Sequence, residues 1–121
     1  MTRDEFLYFL DNKQVEIKEL FQKASREYSA LDEAFENFNK LAEELKIDRK
    51  MVLWIYLTKH RDGVLKFLNG HKSQREPVTG RIQDMIVYLF LLWGMLKEEE
   101  DRDSAMQAVK GLAEAAEVER W

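Results

Sequence analysis

Residues 85–96, MIVYLFLLWGML, are apolar apart from Tyr88 and Gly94. A helix carrying such a run has no solvent face, so other helices or a partner must enclose it. The run spans about 12 residues, short of the roughly 17–25 needed to cross a bilayer. It therefore predicts a core or interface helix and no membrane span. A second run, MVLWIYL at 51–57, has the same character. Two such stretches are more than a chain of 121 residues readily encloses alone. The expectation is a homodimer.

The length suits one domain over 1–121, near the size at which oligomerisation adds useful stability. One proline and five glycines are too few for a turn-rich β-sandwich, which leaves an all-α fold. A formal charge of -4 argues against nonspecific nucleic-acid binding. Without cysteine there is no disulfide, thiolate zinc site or cysteine nucleophile, in keeping with a reducing cytoplasm. The opening MTRDEFLYFLDNK mixes charged and apolar residues, unlike a signal peptide.

Periodicity predicts four main helices plus a C-terminal helix, assembled as a bundle. Phe6, Phe9, Leu10, Ile17, Leu20, Phe21 and Ala24 mark a first helix over 3–26, and Ser25 or Ser29 suits a new start. Leu31, Ala34, Phe35, Phe38, Leu41, Ala42 and Leu45 form the stripe of a second. Asp48 suits the N-cap of a third, about 49–69, which Gly70 would stop. After a polar loop, Pro77 suits the first turn of a fourth, ending near Lys97. The run EEEDRD predicts a turn, and Ser104 a cap for the last helix.

Three polar clusters stand out. Arg81, Asp84 and Tyr88 share one edge of the fourth helix at i, i+3 and i+7. An arginine in a first turn opposes the helix dipole, and with the free amides there it suits phosphate. A plain Arg–Asp pair is the other reading. Glu33 and Glu36 at helical spacing suit a hard cation such as Mg²⁺, or simply a solvated face. In TKHRD, Lys59 offers a phosphate contact, while His60 is either a base or ligand or a packed core residue. His71, Lys72 and Arg75 lie in a loop that either covers an anion or is solvated. There is no glycine-rich phosphate loop, G-x-S-x-G or H-E-x-x-H.

Together, DEAFE and RIQDMIVYLFLL resemble the all-α nucleoside triphosphate pyrophosphatases, the MazG-like and dimeric dUTPase superfamily. Those carry an E-E-x-x-E helix and an E-x-x-D helix running into an apolar stretch, often with tyrosine four residues after the aspartate. EPVTGRIQDMIVYL, with Glu76, Asp84 and Tyr88, looks like the phage-type nucleotide-modification-associated branch, in which Tyr28 and Lys59 match further features. The resemblance covers about 25–98. It implies a nucleotide-binding helical protein with Glu33, Glu36 and Asp84 on Mg²⁺ and Lys59 and Arg81 on phosphate, acting as a pyrophosphatase or binding only. Arg81 replaces the first glutamate of E-x-x-D, and Thr79 and Gly80 replace an acidic pair. The competing reading is a noncatalytic homodimeric interaction or regulatory module.

Overall fold

The computed structural model describes residues 1–28, 33–73 and 75–119; for Ser25, Glu27, Tyr28 and Glu119 only the backbone is described. The described chain is all helical, without strands: α1 (Arg3–Tyr28), α2 (Glu36–Leu45), α3 (Arg49–Leu68) and α4 (Val78–Glu119). The α3–α4 pair is the centre of the fold, α2 packs mainly on α3, and α1 rests lightly on α4. No helix is long and apolar enough to cross a membrane among the described residues.

Each start has a local cause. Thr2 and Glu5 form a capping box: the Thr2 N–H donates to Glu5 Oε2 at 2.7 Å, and the Glu5 N–H donates to Thr2 Oγ1 at 3.1 Å. Asp48 caps α3 by accepting from the Lys50 N–H at 2.8 Å, as its sequence position predicts. Pro77 lies one residue before α4, and its carbonyl accepts from the Arg81 N–H at 3.2 Å. At the other end of α3, Gly70 adopts φ 99°, a left-handed conformation that glycine takes without strain.

Two boundaries differ from the sequence expectation. Glu33–Phe35 lie before α2, which starts at Glu36. The Glu33 carboxylate turns back to accept from the Phe35 N–H at 3.1 Å. The apolar stripe continues through a turn that is not helical, so Glu33 and Glu36 do not share a helix face. Leu31, Asp32 and the suggested cap Ser29 lie outside the described residues.

The second difference is larger. The expected turn at EEEDRD and the cap at Ser104 are absent, and α4 runs unbroken through both. The acidic run is helical because its charges find partners. Lys97 pairs with Asp101 and Arg102 with Glu98 at i,i+4 spacing. Lys50 Nζ reaches Glu99 Oε1 at 2.6 Å, and Arg49 Nη2 lies 3.5 Å from Glu98 Oε1. The fold thus has four helices among the described residues, with no separate C-terminal one.

The core is small. Leu53 and Met95 are fully buried, Phe35 nearly so, with Phe38, Tyr88, Leu91 and Leu92 packed around them. Much of the apolar sequence stays outside: Phe6, Trp54, Phe90 and Trp93 are all exposed, Trp93 at 67%. The chain presents 10133 Å² to solvent. A compact monomer of 14.4 kDa would present about 6,800 Å².

Candidate functional site

The face that α3 turns toward α4 carries Tyr56, His60 and Gly63, at i, i+4 and i+7. Opposite, the first turns of α4 bring Arg81, Asp84 and Tyr88, and the preceding loop delivers Glu76. His60 Nε2 lies 3.8 Å from Asp84 Oδ2. Arg81 Nη1 lies 3.8 Å from Glu76 Oε2. Both separations exceed a hydrogen bond, so neither pair is locked together, and the first is an ion pair only when His60 is protonated.

The position of Arg81 answers why an arginine stands at this helix entrance. Its side chain lies across Gly63, so closely that a Cβ at that position would sit 2.5 Å from Cδ, Nε and Cζ. Glycine is the residue that lets the guanidinium stem cross α3 at this height. Arg81 is only 13% exposed, and its Nε is buried without a hydrogen-bond partner. His60 Nδ1 is in the same condition. Two buried nitrogens on neighbouring helices are thus left without a hydrogen-bond partner.

Aromatic rings close one side. The His60 ring lies 5.6 Å from Tyr88. Tyr88 stacks on Tyr56 at 6.5 Å, and Phe38 meets both edge-on at 6.1 Å. Beside this trio runs a groove of about 630 Å³, bordered by Asn37, Lys40, Leu41 and Glu44. Burial raises the Asp84 carboxyl above its ordinary range; His60 opposes the rise, Glu76 adds to it and Arg81 opposes it. Burial likewise pushes the Tyr88 hydroxyl up, helped by Asp84, Tyr56 and Glu76.

Among the described residues, His60, Glu76 and Asp84 form a group whose ligand atoms all lie within 4.8 Å of one another. The two carboxylates suit a hard divalent cation such as Mg²⁺ or Mn²⁺, while the imidazole is the softer ligand that transition ions such as Zn²⁺ or Fe²⁺ prefer. For Mg²⁺ the carboxylates of Glu76 and Asp84 fit in donor type and the His60 nitrogen does not. The outer support is incomplete, because a metal-bound histidine normally donates its other N–H, and His60 Nδ1 has no acceptor.

The residues singled out from sequence separate into two places. Arg81, Asp84, Tyr88, His60 and Glu76 come together. Glu33 and Glu36 lie outside the three-residue group and line a smaller groove of about 220 Å³ with Phe38, Val87 and Leu91. Tyr88 borders both places. Lys59 stays exposed on α3, about 100° around the helix from His60. Tyr28 ends α1, and its side chain lies outside the described part.

Sequence reasoning passed over Gly63, Tyr56 and Phe38. The spacing of Tyr56, His60 and Gly63 along one helix face was the available signal. No family model, curated protein or solved structure matches the chain.

Proposed function

We propose that this protein binds a nucleotide at the α3–α4 cleft, works with Mg²⁺, and pairs with a second copy to complete a helical bundle. The observation that carries the reading is the convergence of His60, Glu76, Asp84 and Arg81 beside a wall of tyrosines. Arg81 meets phosphate oxygens with a planar, permanently charged fork. Glu76 and Asp84, with His60, hold the cation that phosphate brings with it; its chemistry is charge neutralisation and activation of water. The nucleoside lies along the groove beside Tyr56, whose 43% exposed ring offers a stacking surface, and Asn37 offers amide contacts to a base.

The likeness to MazG-like pyrophosphatases agrees with this reading, with one change of cast. His60 and Glu76 take the places beside Asp84 that the resemblance assigned to Glu33 and Glu36. Hydrolysis follows if the cation activates a water; otherwise the protein is a nucleotide binder. The cysteine-free composition suits work in a reducing cytoplasm.

The competing reading, a noncatalytic homodimeric interaction module, draws on the large exposed surface. Thermal unfolding with nucleoside triphosphates, with and without Mg²⁺, separates the two. A ligand bound only by the native state raises the melting temperature by mass action. Stabilisation requiring Mg²⁺, lost in both Glu76→Gln and Asp84→Asn, supports the site. Unchanged melting at millimolar nucleotide, in either condition, leaves the interaction module as the better account. Pyrophosphate release then decides between binding and hydrolysis.

A further inference from the structure

We infer that the C-terminal arm of α4, residues 100–118, docks in the α1–α4 groove of a second copy, so that two chains exchange arms. The inference rests on the homodimer reading above and names the surfaces that form the dimer. The chain exposes about 3,300 Å² more than a compact monomer of its mass. Large obligate dimers bury about 1,000–2,500 Å² per partner. The unclaimed surface is therefore large enough for a permanent interface.

Two features supply that surface. The arm is exposed throughout, with Met106 at 65%, Val109 at 67% and Leu112 at 72%. In folded proteins a helix takes most of its stability from packing an apolar face, which this arm leaves uncovered. Ala105, Ala108, Val109, Leu112, Ala115 and Ala116 make such a face. The groove, about 730 Å³, is lined by Phe9, Leu10, Ile17 and Phe21 of α1 and by Ile86 and Phe90 of α4.

Length and charge match as well. From Phe9 to Phe21 the groove follows α1 for about 18 Å, and Ala105–Ala116 span about 17 Å. The alanines let the arm sit deep while Val109 and Leu112 fill the trough. Lys13 and Lys18 are the charged residues lining the groove; Lys13 also pairs with Glu16. The arm carries Glu100, Asp101, Asp103, Glu114 and Glu117 against Arg102 and Lys110. The two groove lysines thus face an arm with three more acidic than basic residues, of which Asp101 already pairs with Lys97. Exchange related by a two-fold axis uses both grooves and closes the assembly.

The chain lacks cysteine, so introduced thiols report unambiguously. Leu10→Cys and Leu112→Cys chains are purified separately, mixed and oxidised mildly. A disulfide joining one variant to the other is the expected product. A dominant Leu112→Cys homodisulfide means that arms pair with each other and overturns the groove assignment. Sedimentation of the unmodified protein separates the two levels of the proposal. A monomer at micromolar concentration sinks the homodimer and the arm exchange together. A dimer that persists unweakened in Leu112→Glu sinks the exchange alone. If the arm docks, Leu112→Glu raises the dimer dissociation constant at least tenfold.

Discussion

Gly63→Ala tests the contact that lays Arg81 across α3. Inside an exposed helix this change stabilises by about 1 kcal/mol, because alanine loses less backbone freedom on folding. At position 63 the new Cβ would lie 2.5 Å from three Arg81 atoms, well inside van der Waals contact. Such overpacking costs about 1–3 kcal/mol. Arg81 is a long side chain and relieves part of the clash by swinging away from Glu76. The net expectation is a loss of about 0–2 kcal/mol, set by propensity gained against clash incurred. With Arg81→Ala in the background the clash disappears, and Gly63→Ala should then stabilise by about 1 kcal/mol. The coupling energy of the cycle is thus about 1–3 kcal/mol. Urea unfolding of the four proteins at one fixed concentration, followed by circular dichroism, measures it. Stabilisation by about 1 kcal/mol in both backgrounds would refute the reasoning, since Arg81 would then either not lie across Gly63 or move aside at no cost.

Leu53→Ala removes a fully buried side chain and should cost about 2–5 kcal/mol by urea unfolding. Asp48→Ala removes the α3 cap and should cost about 1 kcal/mol in the same assay. Asp84 has a pKa raised on folding, so the native state binds more protons and stability falls as pH rises through that raised pKa. Asp84→Asn should therefore match the unmodified protein in acid and equal or exceed it in stability at neutral pH, while binding Mg²⁺ and nucleotide more weakly. The effect on folding is small because the side chain is 42% exposed. Arg81→Glu should strengthen Mg²⁺ binding by adding a third carboxylate beside Glu76 and Asp84, and weaken metal-free phosphate binding. Calorimetric titration with each ligand checks this, and unchanged affinities for both would remove Arg81 from the site.

Much of the site was legible one residue at a time. Arg81 drew notice as a charge opposed to its helix dipole, and Asp84 and Tyr88 followed by spacing. His60 and Glu76 were candidates, but nothing local says that a loop residue and a residue on another helix reach the same carboxylate. Their meeting depends on how α3 and α4 pack. Gly63 shows the same limit from the other side. In the sequence it is a glycine inside a helix, and its use emerges only when Arg81 crosses it.

Amino-acid order alone determined the helical class, the starts of α3 and α4, the stop at Gly70 and the surplus of apolar surface. These follow from short-range properties: side-chain spacing, capping atoms and backbone freedom act within a turn or two. Tertiary structure decided whether α4 broke at EEEDRD. Local pairs favour its helix, and Arg49 and Lys50, far away in the chain, add contacts at Glu98 and Glu99. It also decided which acids stand beside Asp84. Glu33 and Glu36 are close to each other in sequence, but one lies in a turn and the other on a short helix. Glu76 lies eight residues before Asp84, and the chain's course into α4 brings the two carboxylates together.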